Sequence, residues 1–124
     1  MDHSVCLYQL AAFLKRNGVE VDLWCKDLPA QVAGSYTSHD RKIRLSPETI
    51  GPSAKHTLIT LAHEAGHWLG YVIDPMPKQY RYQRYFGNFV SYQRERQAFV
   101  YGWRFLRVLD ADVTREEWIQ EHRQ

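Results

Sequence analysis

The chain has 124 residues, of which 44% are hydrophobic and 24% are charged, and its formal net charge at pH 7 is +2. This length predicts one domain, residues 1–124, with a core large enough to fold without disulfide or metal crosslinks. The composition excludes intrinsic disorder, and the charge excludes a wholly basic protein. Because the sequence has no apolar run of about 18 residues and no basic-then-apolar leader, we expect a soluble, cytoplasmic protein without a membrane partner.

The first half of the sequence predicts a helix followed by short strands. Apolar residues recur at helical spacing over residues 3–18, and a glycine closes this segment. Alternation of apolar and polar residues predicts a short strand within 19–24 and two extended runs within 32–46, joined by a polar turn. These runs favour a small antiparallel sheet. Cys6 and Cys25 lack the spacing of a metal or redox motif, and we interpret them as buried small side chains.

The second half predicts mostly helix. After a break rich in proline and glycine, a helix is expected from an N-cap at about Ser53 to Gly70. Two prolines predict a loop over residues 74–79, and the aromatic, basic stretch that follows receives no assignment. A long helix is expected over residues 92–109, and a last helix begins at Thr114, which opens a capping-box sequence. The predicted fold class is α+β, with a small antiparallel sheet packed on a helical half.

The stretch LAHEAGHWLG, residues 61–70, contains the residues of this helical half that are typical of a catalytic metal site. His63 and His67 are four residues apart, so on a helix they project from the same side, separated by about 6 Å along the axis. Two such histidines can share a tetrahedral zinc ion, and Glu64 beside them can accept a proton from a water on the metal. This arrangement predicts zinc-dependent peptide hydrolysis. The alternative is a buried helix whose histidines are hydrogen-bonded to backbone carbonyls.

A catalytic zinc ion takes three protein ligands, so the motif needs a partner. Ile73 stands where the longer motif HExxHxxGxxH requires a third histidine, which excludes the metzincin arrangement. His122 lies close to the end of the chain, where we do not expect a ligand. Glu95 is the preferred third ligand, because it is the sole acid in a basic stretch of the next long helix and Ala98, one turn later, permits close helix packing. Asp74, in the proline-bounded loop, is the second choice.

The order of the segments AGSY, KIRLS, TLAHEAGHWLG and ERQAF resembles the ImmA/IrrE family of small gluzincin-type zinc metallopeptidases, over roughly residues 32–106. The resemblance implies that His63, His67 and Glu95 bind Zn²⁺ and that Glu64 is the general base. It also implies an origin in bacteria or their mobile elements. The activity that it implies is regulatory cleavage of a separate protein, such as a helix-turn-helix transcriptional repressor.

Several other residues have less specific interpretations. Tyr92, one turn before Glu95, is a candidate for stabilising an oxyanion. The resemblance also implies a strand beside the motif helix to which substrate could add as an extra strand; residues 34–37 or 42–46 could supply it, although either could simply cover the core. His56 could contact substrate, but a surface or capping role is the preferred interpretation.

The segment between residues 78 and 107 has seven basic residues and one acid, so a local basic patch is expected. Its aromatic part, residues 79–86, could stack on nucleic-acid bases, but a substrate-binding loop or a packed aromatic cluster explains it at least as well. Nucleic acid is therefore a less favoured partner than a protein substrate. The main functional hypothesis is a zinc endopeptidase. The alternative is a catalytically weak or inactive binding module that docks a transcription regulator or nucleic acid.

Overall fold

The computed structural model describes residues 2–75 and 83–122, and for residues 83–90 it describes the backbone alone. The sheet lies against α3, the helix that carries the histidine motif, and this confirms the α+β class. Among the described helices, none is long and apolar enough to cross a membrane. The elements in chain order are α1 (His3–Arg16), β1 (Glu20–Asp22), β2 (Gly34–Thr37), β3 (Lys42–Leu45), α2 (Pro47–Ile50), α3 (Ala54–Ile73), α4 (Gln83–Val108) and α5 (Arg115–Glu121).

The sheet is mixed, with β3 in the centre and the strand order β1-β3-β2. β2 pairs antiparallel with β3, placing Gly34 opposite Leu45, whereas β1 runs parallel to β3, with Val21 opposite Ile43. The prediction of a purely antiparallel sheet is therefore wrong for β1. The chain crosses from one edge of the sheet to the other between β1 and β2. Alternation within strands of three or four residues carries no information about strand direction.

The core is formed by the sheet and the helices α1, α3, α4 and α5. Ile43 and Leu45 point from β3 into this core and are fully buried, and Trp118 is the largest side chain buried there. Burying apolar side chains of this size contributes about 1.5–3 kcal/mol each, so this packing holds α5 against the body. Cys6 and Cys25 are buried and unpaired, as the sequence predicts.

Three predicted helix boundaries are confirmed. Gly18 follows α1 in the left-handed region, at φ 82°, where glycine is favoured. The hydroxyl of Ser53 caps α3 by accepting a hydrogen bond from the backbone N–H of His56, at 3.3 Å. At α5, the Thr114 hydroxyl accepts from the Glu117 N–H at 3.1 Å, and the Glu117 carboxylate accepts from the Thr114 N–H at 2.9 Å. This is the capping box that the sequence predicts.

Other boundaries differ from the predictions. α3 continues past its expected end at Gly70, because this glycine serves close packing: a Cβ there would lie 2.7 Å from Oε1 of Gln97. α4 begins at Gln83, well before the predicted start, within the stretch that received no assignment. The break before α3 contains the short helix α2, which has Ser46 as its N-cap and Pro47 in its first turn.

The feature of the fold that positions the site is the close crossing of α3 and α4. A Cβ on Gly66 would lie 2.4 Å from the carbonyl oxygen of Ala98, and a Cβ on Gly102 would lie 2.7 Å from the carbonyl oxygen of Ala62. The predicted close packing at Ala98 is therefore confirmed, and Gly102 makes a second close contact that was not predicted. Because the two backbones are in contact there, side chains one turn away face each other across a narrow crevice.

Candidate metal centre

His63 and His67 on α3 face Glu95 on α4. Nε2 of His67 lies 3.0 Å from Oε1 of Glu95, and Nε2 of His63 lies 3.2 Å from Oε2 of the same carboxylate. The two imidazole rings are adjacent, with centroids 4.9 Å apart, and one ligand atom from each of the three residues lies within 4.8 Å of the others. The structure thus brings together the three ligands predicted from the sequence, and they could hold a metal ion.

Glu64 lies beside the histidines but points into a nearly closed environment, where it is only 7% exposed. The Cα of Gly34 approaches it so closely that a Cβ at this position would lie 3.3 Å from Cγ of Glu64. Burial raises the pKa of Glu64 from 4.5 to about 7; the Glu95 carboxylate raises it too, while His63 lowers it. A carboxyl group with a pKa near neutrality can both accept and return a proton.

Glu95 has the opposite electrostatic environment. Its hydrogen bonds with His63 and His67 hold the pKa of its carboxyl well below its usual range. The side chain is 61% exposed, so it is open to solvent on the side away from the histidines. Metal ligands must be deprotonated, and an ionised carboxylate at neutral pH meets this requirement.

His122, which the sequence analysis placed away from the site, contacts it directly. Its Nε2 lies 2.6 Å from Nδ1 of His63, and its Nδ1 lies 2.7 Å from the carbonyl oxygen of Trp118. Burial lowers the pKa of His122 below 6.5, which favours its neutral ring. His122 is not one of the three clustered ligands, but it touches one of them. Two features of the sequence indicated that this part of the chain is ordered: the capping box at Thr114 predicts a helix, and Trp118 predicts its buried side. His122 lies one turn beyond Trp118, so it lies on that same buried side.

A cavity of about 320 Å³ opens beside His63 and Glu95, two of the three ligands. Its floor is the motif helix, and one wall is the start of β2, which is an edge strand of the described sheet. α5 supplies another wall through its last turn. The cavity is lined by Gln31, Ala33, Gly34, Ile59, Thr60, His63, Glu64, Glu95, Glu121 and His122.

The remaining candidates lie outside this cluster. Tyr92 is 63% exposed, and the described lining of the cavity does not include it, so its role as an oxyanion donor stays a prediction. Asp74 caps the C-terminus of α3 and is not in the ligand cluster found among the described residues. His56 lies at the surface, with Nε2 3.6 Å from Oε1 of Glu121, in agreement with the preferred interpretation.

The predicted basic patch is reduced by burial. Arg94 is only 5% exposed; its guanidinium stacks on the ring of Tyr71 and donates a hydrogen bond of 3.1 Å to Oε1 of Gln97. Arg104 and Arg107 lie over aromatic rings of their own helix. The side chains of the aromatic stretch 79–86 lie outside the described residues. Its interpretation as a nucleic-acid contact, a substrate-binding loop or a packed aromatic cluster therefore stays a prediction.

No protein-family model, curated protein or solved structure matches this chain. The interpretation of the site therefore depends on its own residues. The site offers two imidazole ligands, one ionised carboxylate, one buried carboxyl group and an adjoining cavity.

Proposed function

We propose that this chain is a zinc-dependent endopeptidase similar to the ImmA/IrrE metallopeptidases, with a regulatory role. The observation that carries the proposal is the convergence of His63, His67 and Glu95 from two helices, next to the buried carboxyl group of Glu64. An ion pair that only stabilises the fold needs no more than one histidine beside the carboxylate. Two histidines on one carboxylate, open to a cavity, match the ligand number and type of catalytic zinc sites.

The ligand set fits zinc in both chemistry and spacing. Zn²⁺ binds imidazole nitrogen and carboxylate oxygen at about 2.0–2.2 Å, so ligand atoms at the corners of a tetrahedron lie about 3.3 Å apart. The three ligand atoms lie within 4.8 Å of one another, and each histidine nitrogen is 3.0–3.2 Å from one oxygen of the Glu95 carboxylate, so small movements would bring all three onto one ion. Three protein ligands leave a coordination position for water or substrate, which distinguishes catalytic from structural zinc sites.

The protein groups divide the work of peptide hydrolysis between them. When bound, zinc supplies polarisation of the substrate carbonyl and of the attacking water. Glu64 takes the proton from that water and returns it to the leaving amine, and its pKa of about 7 suits both transfers. Burial of Glu64 against Gly34 restricts the movement of its carboxyl group, which keeps it close to the histidines.

A peptide substrate would bind along the free edge of β2. Within residues 2–75 and 83–122 this strand pairs with β3 alone, and its first residue, Gly34, lines the cavity. An extended peptide could add to this edge through backbone hydrogen bonds, which are independent of sequence, while side-chain subsites give specificity. Such binding would place a peptide bond beside Glu64 and the three ligands, as endopeptidase activity requires.

The substrate class that the resemblance favours is a separate protein, such as a helix-turn-helix repressor. The test incubates the purified protein, in the presence of zinc, with the products of the genes that flank its own, any helix-turn-helix protein among them first. We expect cleavage at one or a few bonds, identified by mass spectrometry, and no cleavage with a chelator or with Glu64→Gln. A repressor that binds tightly but stays intact would favour the docking module instead. Cleavage by Glu64→Gln at the wild-type rate would contradict the mechanism.

A further inference from the structure

The ligand His63 is the end of a hydrogen-bonded series that begins at a backbone carbonyl in α5. The carbonyl oxygen of Trp118 lies 2.7 Å from Nδ1 of His122, and Nε2 of His122 lies 2.6 Å from Nδ1 of His63. The other nitrogen of His63, Nε2, faces Glu95 and is the atom that belongs to the ligand cluster. Each ring nitrogen in the series therefore has one defined neighbour.

The direction of these hydrogen bonds follows from the first of them. A carbonyl oxygen can only accept, so Nδ1 of His122 carries the proton that bonds to Trp118. In a neutral ring the other nitrogen, Nε2, is then an acceptor, and Nδ1 of His63 must be the donor to it. Nδ1 of His63 is thus engaged by His122, and Nε2, which faces Glu95, is the nitrogen at which a metal ion would replace the proton.

The position of His122 is fixed by several independent contacts of α5. Nε1 of Trp118 donates to the carbonyl oxygen of Phe99 on α4, at 3.1 Å. The ring of His122 packs on those of Trp118 and Phe99, with centroid separations of 4.3 and 5.1 Å. Glu117 and Glu121 pair with Lys55 and His56 on α3, which ties both ends of α5 to the motif helix.

We propose that His122 is a positioning residue that holds His63 in the Nδ1–H tautomer and orients its Nε2 for metal binding. This inference rests on the proposed metal site. Metal-ligating histidines commonly donate their second ring N–H to a fixed acceptor, which sets the tautomer and increases ligand basicity. That acceptor is usually a carboxylate, a carbonyl or water; here it is an imidazole, itself oriented by a carbonyl.

The test compares zinc affinity between variants that separate hydrogen bonding from packing. His122→Phe keeps a ring against Trp118 and Phe99 but removes the acceptor nitrogen. His122→Gln keeps an acceptor, its amide oxygen, at similar reach. His56→Gln is the matched control, because it removes an exposed histidine that also contacts α5 but does not touch a ligand. Zinc dissociation constants are measured by competition with a chromogenic chelator, and urea unfolding of the metal-free proteins reports the fold.

We expect His122→Phe to raise the zinc dissociation constant about 10–100-fold, the range found for such supporting residues. His122→Gln should recover part of that loss, and His56→Gln should bind as wild type does. Equal affinity of wild type and His122→Phe, with zinc bound by both, would overturn the inference and leave the proposed function intact. Failure of the wild type to bind zinc would overturn the two together. If His122→Phe does not fold, His122→Gln is compared with His122→Ala. Zinc binding by His122→Gln that is no tighter than by His122→Ala would then overturn the inference.

Discussion

The helices α3 and α4 meet on two different surfaces, only one turn apart. On the packing surface, Gly66, Ala98 and Gly102 bring the backbones into contact and leave no space for a larger side chain. On the metal surface, His63 and Glu95 face each other across a crevice that is half open to solvent. Side-chain size limits which residues can occupy the packing surface, whereas the ability to bind a metal ion limits which residues can occupy the metal surface.

This difference teaches that fold and function can be altered separately in one helix pair. Overfilled interiors destabilise a protein because close-packed atoms cannot move aside. Replacing a polar ligand at an open site removes metal binding or catalysis, but these side chains contribute little to the packing of the core. Substitutions on the metal surface should therefore abolish metal binding or turnover in a folded protein, and substitutions on the packing surface should lower its free energy of unfolding. The following predictions test that separation, from the largest expected effect to the smallest.

Glu64→Gln should have the largest effect, and it should act on turnover alone. The amide keeps the shape of the carboxyl group but cannot take a proton from water, so the rate of substrate cleavage should fall about 10²–10⁴-fold. Zinc content and the free energy of unfolding should be retained, since a neutral amide avoids the cost of burying a charge. Cleavage rates and zinc content measured on the same preparations check this. A parallel loss of bound zinc would show that Glu64 is needed for the metal site instead.

Zinc should stabilise the folded wild-type protein by mass action. A ligand that binds only the native state at 100 times its dissociation constant adds about 2.7 kcal/mol to the free energy of unfolding. His67→Ala should unfold like the metal-free wild type and gain nothing from zinc, because only two ligands remain. Thermal unfolding with and without zinc measures this difference. An equal zinc-induced shift in both proteins would place the binding site elsewhere.

Gly66→Ala should lower the free energy of unfolding by about 1–3 kcal/mol, because its Cβ would meet the backbone of α4, which cannot yield. Gly70→Ala is the matched control. Its Cβ would meet Oε1 of Gln97, the end of a side chain that can turn away at the cost of its hydrogen bond with Arg94, and the helix propensity of alanine offsets up to about 1 kcal/mol of that cost. Urea unfolding of both metal-free variants measures the contrast. Equal stability of the two would contradict the packing account.

Glu117→Gln should have the smallest effect, and its size should depend on pH. The hydrogen bond with Lys55 lowers the pKa of Glu117 below 4.5, and the bond with the Thr114 N–H adds to this. A lowered pKa stabilises the fold fully above the unfolded-state pKa, and that contribution is lost as pH falls through the folded-state value. The pair is about one-third exposed, so about 0.2–1 kcal/mol is expected at neutral pH.

Urea unfolding of wild type and Glu117→Gln at neutral pH and well below pH 4.5 checks this dependence. Glutamine can still accept the capping hydrogen bond, so the variant isolates the charge. The two proteins should converge in acid. A stability difference that grows as the pH falls would have the wrong sign for this pair.

Much of this molecule follows from short-range patterns in its sequence. The HExxH spacing predicts that His63 and His67 share one side of a helix, and small residues beside them predict the crossing that brings in Glu95. The direction of β1 is not predictable in this way, because pairing partners are chosen by the path of the whole chain. The contact of His122 with His63 likewise depends on how α5 docks: the Thr114 capping box predicts the helix and Trp118 predicts its buried side, but neither predicts which residue of α3 it meets.

Metal content tests the central claim most directly. The purified wild-type protein should contain about one zinc ion per chain, and His63→Ala and Glu95→Ala should each lose it while remaining folded. That result would establish a site built from both helices. A wild-type protein that binds no zinc, or a Glu95→Ala variant that retains it, would contradict the three-ligand centre proposed for this protein.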